Sequence, residues 1–366
     1  MRVAFRVDAS LDIGTGHVMR CLTLAHGLAD QGAQCFFICR EHTGNLLEAI
    51  RQNGIEAYGL PLRHDSQGEF KAASSPPHIS WLGTDWATDA QQTLSLLKVN
   101  PVDWLISDHY AIDARWERAL RPAYQRIMVI DDLADRPHDC DLLLDQNLGR
   151  NPFDYVDLVS PTSKVLAGPQ YALLRPEFAA LRPYSLNRRA KPQLKRLLVS
   201  MGGVDKDNAT GLVLDALKQS ALPRDCHITV IMGHNAPRLK DIETLAVGMP
   251  WLTEVQVQVK NMATLMAESD FAIGAVGTTA WERCCLGLPA LALVLADNQL
   301  NGATALAALG CIFLLEDRNN IFSILPRQME LLQDCDTLLS MQHACSAITD
   351  GAGVTRTVAT LRNFHA

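Results

Sequence analysis

Two glycines and a histidine follow the first predicted strand, residues 3–7. Gly14 and Gly16 allow a tight turn, and His17 then falls in the first turn of a helix at the carboxyl end of a parallel strand, where open α/β sheets bind ligands. The aligned peptide dipoles of that helix disfavour an imidazolium ion. We therefore expect a neutral His17 that can accept a proton, the alternative being a histidine that only caps or packs the helix.

A second pattern that could do chemistry follows the predicted strand 271–276. Gly277, Thr278 and Thr279 begin a helix there, so backbone amides and hydroxyls would converge on an anionic diphosphate without a metal ion. Glu282 lies one turn beyond Thr278, and its carboxylate could accept hydrogen bonds from both ribose hydroxyls. A Glu282 that faces solvent on an ordinary helix is the alternative.

Two weaker patterns also follow predicted strands. Gly202 and Gly203 come directly after residues 197–200 and could let the backbone approach phosphates. Asp297, Asn298 and Gln299 come after residues 290–296 and suit recognition of sugar hydroxyl or amide groups. Helix capping by Asp297 or Asn298 explains the same residues equally well.

Polar side chains also end two further strands of the first half, predicted at residues 103–107 and 126–130. We expect Asp108 and Tyr110 at the same edge as His17, where they could contact substrate. The adjacent carboxylates after the second strand, Asp131 and Asp132, should point in different directions, so a paired acid/base device is not expected.

The composition excludes several classes of function. The chain has 366 residues, 48% of them apolar, and a net charge of only -7, so neither a nucleic-acid partner nor a membrane surface is expected. Ten cysteines and eleven histidines show no metal-ligand spacing, and no metal site is predicted. Met19 stands where a dinucleotide fingerprint needs its third glycine, so an NAD enzyme is disfavoured and no cofactor is expected.

Localisation follows from the first residues and from the apolar runs. A strand begins directly after Met1, which leaves no room for an export signal. The longest apolar runs are strand-sized and far below the ~20 residues of a membrane-spanning helix. We therefore expect a cytoplasmic protein.

Strand-length apolar runs alternate with helix-length segments in both halves, which predicts two doubly wound α/β domains. Residues 182–195 contain two prolines and several basic side chains, and they are interpreted as an exposed connector. The expected domains are residues 1–182 and 195–350. A C-terminal helix in 351–366 could pack back on the first domain. Further strands are expected at residues 34–39, 141–144 and 227–232.

Several of these segments together resemble the UDP-sugar hydrolases of pseudaminic acid biosynthesis, which hydrolyse UDP-2,4-diacetamido-2,4,6-trideoxy-β-L-altropyranose. The resemblance covers nearly the whole chain, and the His17 and Glu282 motifs are also similar to the N-acetylglucosaminyl transferase that forms lipid II. The matching segments are residues 6–10, 14–20, 130–134, 200–203, 279–282 and 296–299.

The resemblance implies a GT-B architecture, with two Rossmann-like domains facing across a cleft and UDP bound mainly by the second. It implies metal-independent hydrolysis with inversion at the anomeric carbon, in a pathway that serves flagellin glycosylation. His17 would be the general base on water, and Glu282 would bind the ribose. The other implied substrate contacts are Gly14, Thr15, Gly16 and Arg20, the diphosphate-binding Gly202, Gly203, Gly277, Thr278 and Thr279, and the sugar-binding Asn298 and Gln299.

Two further functions stay open at this point. An inverting GT-B glycosyltransferase would use the same donor site, with His17 deprotonating an acceptor hydroxyl instead of water. A noncatalytic nucleotide-sugar sensor would not need a base at His17.

Overall fold

The computed structural model describes residues 1–62, 76, 78–234, 236–295 and 299–364. The chain forms two compact units. The first comprises Met1–Leu173 together with Gly353–Ala366, and the second comprises Leu174–Ala352.

Each unit is built on a parallel sheet with helices on its faces. The strand order is β3-β2-β1-β4-β5-β6-β7 in the first sheet and β10-β9-β8-β11-β12-β13 in the second. The strands are β1 (Arg2–Val7), β2 (Gln34–Arg40), β3 (Glu56–Leu60), β4 (Val102–Asp108), β5 (Tyr124–Ile130), β6 (Leu142–Asp145), β7 (Lys164–Ala167), β8 (Arg196–Ser200), β9 (His227–Met232), β10 (Leu252–Val257), β11 (Phe271–Ala275), β12 (Ala290–Leu293) and β13 (Ile312–Leu315).

The α-helices lie between these strands and at the end of the chain. They are α1 (Gly16–Ala29), α2 (Leu47–Gln52), α3 (Trp86–Val99), α4 (Ala114–Ala119), α5 (Pro176–Arg189), α6 (Ala209–Leu217), α7 (Leu239–Val247), α8 (Met262–Glu268), α9 (Thr279–Cys285), α10 (Leu300–Ala308), α11 (Ile321–Leu331), α12 (Cys335–Ser346) and α13 (Gly353–Asn363).

The central strands are apolar along their whole length because both faces of each sheet are covered. In β4, Trp104, Leu105 and Ile106 are fully buried although their side chains alternate between the two faces. The register of the first sheet places Val7, the last residue of β1, beside Asp108, the last residue of β4. The two chain segments that leave these strands therefore begin next to each other.

The predicted strands are observed, with ends that differ by at most three residues and with the ends of β9 as predicted. Four strands, β3, β7, β10 and β13, were not expected from the sequence. They lie toward the edges of the two sheets, where fewer residues are buried and the apolar run is shorter. The strand expected at residues 290–296 ends at Leu293, because the chain there leaves the sheet.

The expectation of an exposed connector at residues 182–195 was wrong. Most of that stretch is the second half of α5, and the two units meet in sequence at Leu173 and Leu174 instead. Two of the basic side chains are held by backbone carbonyls: Arg182 donates to Cys285, Ser346 and Thr349, and the buried Arg189 donates to Met266 at 2.8 Å and Ser269 at 2.6 Å. The charged side chains of Arg182 and Arg189 are therefore not solvent-exposed, because their guanidinium groups have hydrogen-bond acceptors inside the protein.

The C-terminal helix α13 packs against α1 of the first unit. Val358 and Leu361 are buried in the same core as Val18 and Leu28. Arg362 adds a bond to the side chain of Gln31 at 2.7 Å. Among the described residues, no helix is both long and apolar enough to cross a bilayer.

Substitution of Gly353 tests how tightly α13 begins against the first unit. A Cβ at Gly353 would collide with the backbone carbonyl of Ala172, which is not a flexible side-chain end. Gly353→Ala should therefore cost about 1–3 kcal/mol and lower the melting temperature by several degrees in calorimetry. In Gly302→Ala the new Cβ lies in α10 with no atom near it. The melting temperature of this variant should stay the same or rise. A Gly353→Ala protein as stable as Gly302→Ala would contradict this packing.

Candidate functional site

The loop between β1 and α1 is closed by Ser10. Its hydroxyl accepts from the amides of Asp12 and Ile13, and its carbonyl accepts from the amide of Gly14 at 2.9 Å. Gly14 has a φ of 79°, a left-handed conformation that glycine adopts without strain. The loop places His17 as the second residue of α1, in the first turn as expected.

The imidazole of His17 contacts the carboxylate of Asp108. The distance from Nδ1 to Oδ1 is 2.6 Å. Burial alone would raise the pKa of Asp108, but the charge of Arg20 and the hydrogen bonds from Arg20 and His17 hold it below its ordinary value, so the carboxylate is ionised and can only accept. In the neutral form of His17, the proton therefore lies on Nδ1, and Nε2 presents a lone pair. The arrangement can accept a proton from a water molecule or hydroxyl group at Nε2.

Asp108 is fixed by Arg20 as well as by His17. The guanidinium of Arg20 binds both carboxylate oxygens at 2.7 Å, in the bidentate geometry that arginine favours. Cys21 contributes a weaker thiol contact at 3.4 Å. Asp108 is 1% exposed and Arg20 is 5% exposed, so this ion pair is shielded from water.

A second carboxylate, Asp132, holds the other side of Arg20. It accepts from Nη1 of Arg20 at 2.7 Å, from the hydroxyl of Tyr110 at 2.8 Å and from the side-chain amide of Asn147 at 3.2 Å. Burial, with Asp132 beside it, raises the pKa of Tyr110, which stays a neutral phenol. The polar atoms of Asp108, Arg20 and Tyr110 are thus engaged inside the unit. These bonds position His17, and contact of Asp108, Arg20 and Tyr110 with substrate stays a prediction.

Aromatic rings surround the imidazole of His17. The ring of Tyr110 meets it edge-on at a centroid distance of 4.7 Å, and Trp81 lies at 6.4 Å. His78 packs on Trp81 at 4.5 Å. Sequence reasoning missed His78 and Trp81, since no strand ends at them. Their spacing of three residues on one turn was the signal that could have found them.

In the second unit, Gly277 and Thr278 link β11 to α9. Gly277 is exposed and Thr278 is partly buried, and no side chain of the described residues caps the first turn of α9. The hydroxyl of Thr279 accepts from the buried Arg283 at 3.4 Å, and Arg283 also donates to the carbonyl of Ala275 at 3.0 Å. The turn therefore presents backbone and hydroxyl donors at the carboxyl end of a central strand.

Glu282 follows this turn within α9. Its side chain is 15% exposed, and Arg175 lies 3.6 Å away. Burial raises the pKa of Glu282 to about 7 because Arg175 only partly offsets the lost hydration. Glu282 is therefore not an ordinary solvent-facing glutamate, and its carboxylate has room for further hydrogen-bond donors. Arg175 was not expected from the sequence.

The glycine turn after β8 differs from the turn after β11. Gly202 has a φ of 95°, and a Cβ on Gly202 or Gly203 would meet open space. The following helix α6 is already capped, because Asp205 accepts from the amides of Ala209 at 2.8 Å and Thr210 at 3.0 Å. An anion approaching here would meet the backbone of Gly202 and Gly203 but not the start of α6.

The third polar pattern of the second unit is only partly described. Gln299 precedes α10, and its side-chain oxygen accepts from the amide of Leu295 at 3.0 Å. Asp297 and Asn298 lie outside the described residues. Within the described part of the chain, no three His, Cys, Asp or Glu side chains cluster in a way that could hold a metal ion.

The Asp108 contact makes a prediction about the tautomer of His17. In Asp108→Asn the amide can donate to Nδ1, so the proton of His17 should move to Nε2. ¹⁵N chemical shifts of the ring near pH 8 would show this exchange. Asp12→Asn, an exposed change in the loop before α1, should leave the shifts unaltered. An unchanged tautomer in Asp108→Asn would show that Asp108 does not select it.

The raised pKa of Glu282 makes a prediction about stability. The folded state holds this proton between the ordinary value of 4.5 and about 7, so stability falls as pH rises through that window. Glu282→Gln should not lose stability in this window. Its free energy of unfolding, taken relative to the native protein, should therefore rise by on the order of 1–3 kcal/mol from pH 5 to pH 8 in urea unfolding. Glu243→Gln, which alters an exposed glutamate of α7, is the control. If the difference in stability between Glu282→Gln and the native protein is the same at pH 5 and at pH 8, the pKa of Glu282 is not raised in the folded protein.

Comparisons with known proteins find relatives in sequence and in fold. No family model matches the chain. It is 27% identical over 311 residues to UDP-2,4-diacetamido-2,4,6-trideoxy-beta-L-altropyranose hydrolase of Campylobacter jejuni, covering 85% of this chain and 97% of that protein. It is 27% identical over 214 residues to spore coat polysaccharide biosynthesis protein SpsG of Bacillus subtilis, covering 57% of this chain and 60% of that protein.

Among solved structures, the crystal structure of MurG from Acinetobacter baumannii superimposes with a TM-score of 0.69 at 15% identity, covering 99% of both chains. A match at this identity concerns the fold. The chain therefore has the GT-B fold, with two Rossmann-like parallel-sheet units, and is related over most of its length to a UDP-sugar hydrolase.

Proposed function

We propose that this chain is a nucleotide-sugar hydrolase that cleaves a UDP-linked 2,4-diacetamido-2,4,6-trideoxy sugar of the altrose type. The products are UDP and the free sugar, with inversion at the anomeric carbon. The observation that carries the proposal is the pair formed by His17 and Asp108, in which a buried, ionised carboxylate lies 2.6 Å from Nδ1 of the imidazole. The sequence similarity to a hydrolase of this substrate supports the choice of sugar.

His17 is the general base in this proposal. Nε2 takes a proton from water while the water oxygen attacks the anomeric carbon from the face opposite UDP. The imidazolium that forms stays next to the negative charge of Asp108, which stabilises it. Arg20 and Asp132 keep that carboxylate in place, so no reorganisation is needed as the charge develops.

Other carboxylates at the ends of neighbouring strands are poorer bases. Burial opposes ionisation of Asp8, yet Arg6 holds its pKa well below the ordinary value. Arg136 does the same for the buried Asp131. A carboxylate with a lowered pKa accepts a proton weakly near neutral pH, which favours His17 over both.

UDP would be bound by the second unit. We assign the diphosphate to Gly277, Thr278 and Thr279, whose turn has no side-chain cap, together with the open backbone of Gly202 and Gly203. Glu282 would accept from the ribose hydroxyls, which would supply the donors that its buried carboxylate lacks. Gln299, with Asp297 and Asn298, would contact the sugar.

Several finer features belong to the same proposal. The reaction would use water as its only co-substrate and no metal ion, since donors from the turn at Gly277 would offset the charge on the leaving diphosphate. The product would enter pseudaminic acid biosynthesis for flagellin glycosylation in the cytoplasm, without nucleic-acid or membrane partners. The sequence similarity to the Campylobacter hydrolase is what supports this pathway.

Glycosyl transfer is the weaker alternative. The similarity to MurG lies at 15% identity and concerns the fold alone, whereas the similarity to the hydrolase extends over 85% of the chain. A transferase would need a second substrate whose hydroxyl replaces water at Nε2 of His17. Release of UDP without any added acceptor separates the two functions.

Replacement of His17 tests the mechanism. With the UDP-linked trideoxy sugar and EDTA present, the native protein should release UDP, and His17→Ala should lose about 10² to 10⁴ in kcat. His17→Asn should lose as much, because an amide can orient water but cannot take its proton.

Both variants should still bind UDP in calorimetry, since the proposed UDP site lies in the second unit. His26→Ala, at the far end of α1, is the matched control and should keep native turnover. Native kcat in His17→Ala would refute the role of this base, and turnover that needs an added divalent ion would refute metal independence.

A further inference from the structure

His78, Trp81 and Tyr110 form one continuous surface beside His17, here called the aromatic wall. Trp81 stacks on Tyr110 at a centroid distance of 5.6 Å with an interplanar angle of 22°. His78 contacts both rings, at 4.5 Å from Trp81 and 5.4 Å from Tyr110. Tyr110 is 4% exposed, whereas His78 and Trp81 are only partly buried. The wall therefore has a buried base and an accessible rim.

The wall is held in place from behind. Trp81 lies in the 3₁₀ turn Ile79–Leu82, whose Leu82 is fully buried, and Gly83 ends that turn in a left-handed conformation. Tyr110 is anchored by its bond to Asp132, the carboxylate that also holds Arg20. Tyr110 is thus positioned by the carboxylate that also holds Arg20. Burial lowers the pKa of His78, which favours its uncharged form.

Distances connect this wall to the reacting centre. A water activated by His17 sits about 3 Å from Nε2, and the attacked carbon lies a further 3–3.5 Å away in a near-attack geometry. Trp81 and Tyr110 lie within 6.4 Å of the imidazole. The aromatic rings and the attacked carbon would thus lie at similar distances from the imidazole, which is within the reach of the substituents of a pyranose ring.

We propose that the aromatic wall is a subsite for the apolar substituents of the sugar, and that Trp81 selects 6-deoxy, N-acetylated sugars over their hydroxylated analogues. This inference rests on the proposed function and adds a specificity-determining residue to it. A methyl group at C6 and acetamido methyl groups gain contact with the rings. A hydroxyl group at C6 loses its water there, and the indole face offers no bond in exchange.

The test compares two UDP-sugars that differ only at C6: the 2,4-diacetamido-2,4,6-trideoxy sugar and its 6-hydroxy counterpart. The native protein should prefer the 6-deoxy sugar by about 10- to 200-fold in kcat/KM, the range for one apolar group in an apolar pocket. Trp81→Ala should reduce that preference to within about threefold, and Trp81→Phe should keep most of it, as expected of an apolar contact. Trp81→Gln serves in place of Trp81→Ala if the latter does not fold.

Trp86→Ala is the matched control. Trp86 is partly buried in the same unit, but its ring lies against Arg115 at the start of α3, so the preference between the two sugars should not change. Calorimetric binding of both UDP-sugars to each variant is measured in parallel. This second readout does not depend on turnover.

The outcomes separate the wall from the hydrolase function. A preference that survives unchanged in Trp81→Ala or Trp81→Gln, with His17→Ala inactive, refutes the subsite and leaves the hydrolase intact. If the native protein cleaves neither sugar but binds the 6-deoxy form more tightly, and Trp81→Ala or Trp81→Gln abolishes this difference, the subsite stands and the hydrolase function falls. Equal binding of both sugars by the native protein, without cleavage, overturns both.

Discussion

The buried negative charge of Asp108 is the constraint on which the candidate site depends. A carboxylate with 1% exposure is costly unless it is paired, and here Arg20 binds both oxygens while His17 donates to one of them. Both partners lie on the first turn and a half of α1, and Asp108 ends the strand next to β1. The pairing of this one charge with Arg20 and His17 therefore fixes the start of α1 and the orientation of the imidazole. It also decides which imidazole nitrogen can accept a proton.

A second set of buried charges supports the same end of the first sheet. Asp8 and Asp89 are each bound by Arg6, and Arg40 binds Asp89 as well. The two carboxylates and two guanidinium groups balance, so the neighbouring His109 has no net charge to compensate, and burial lowers its pKa. The loop that carries His17 thus leaves a strand end that is already held by ion pairs. Removing one member would leave an unpaired charge inside the unit.

Glu282 shows the opposite outcome for a carboxylate in the second unit. Asp108 has two close donors and a lowered pKa, whereas Glu282 has one arginine at 3.6 Å and a pKa raised to about 7. The difference comes from the number of partners, since both groups are shielded from water. A fully satisfied carboxylate suits a fixed positioning role. An incompletely satisfied one suits a group that completes its hydrogen bonds with a ligand.

The sequence by itself determined the alternation of strands and helices, the placement of His17 and Glu282 after strand ends, and the resemblance that indicated a GT-B fold. These features follow from local patterns, because apolar runs, glycines and helix starts are read within a few residues. It did not determine the partners of those residues: Asp108 lies 91 residues from His17, and Arg175 lies far along the chain from Glu282. The basic residues of α5 were misjudged for the same reason, since their acceptors come from distant segments. Only the tertiary structure could decide which charges are buried, because burial and pairing depend on contacts between elements that are remote in sequence.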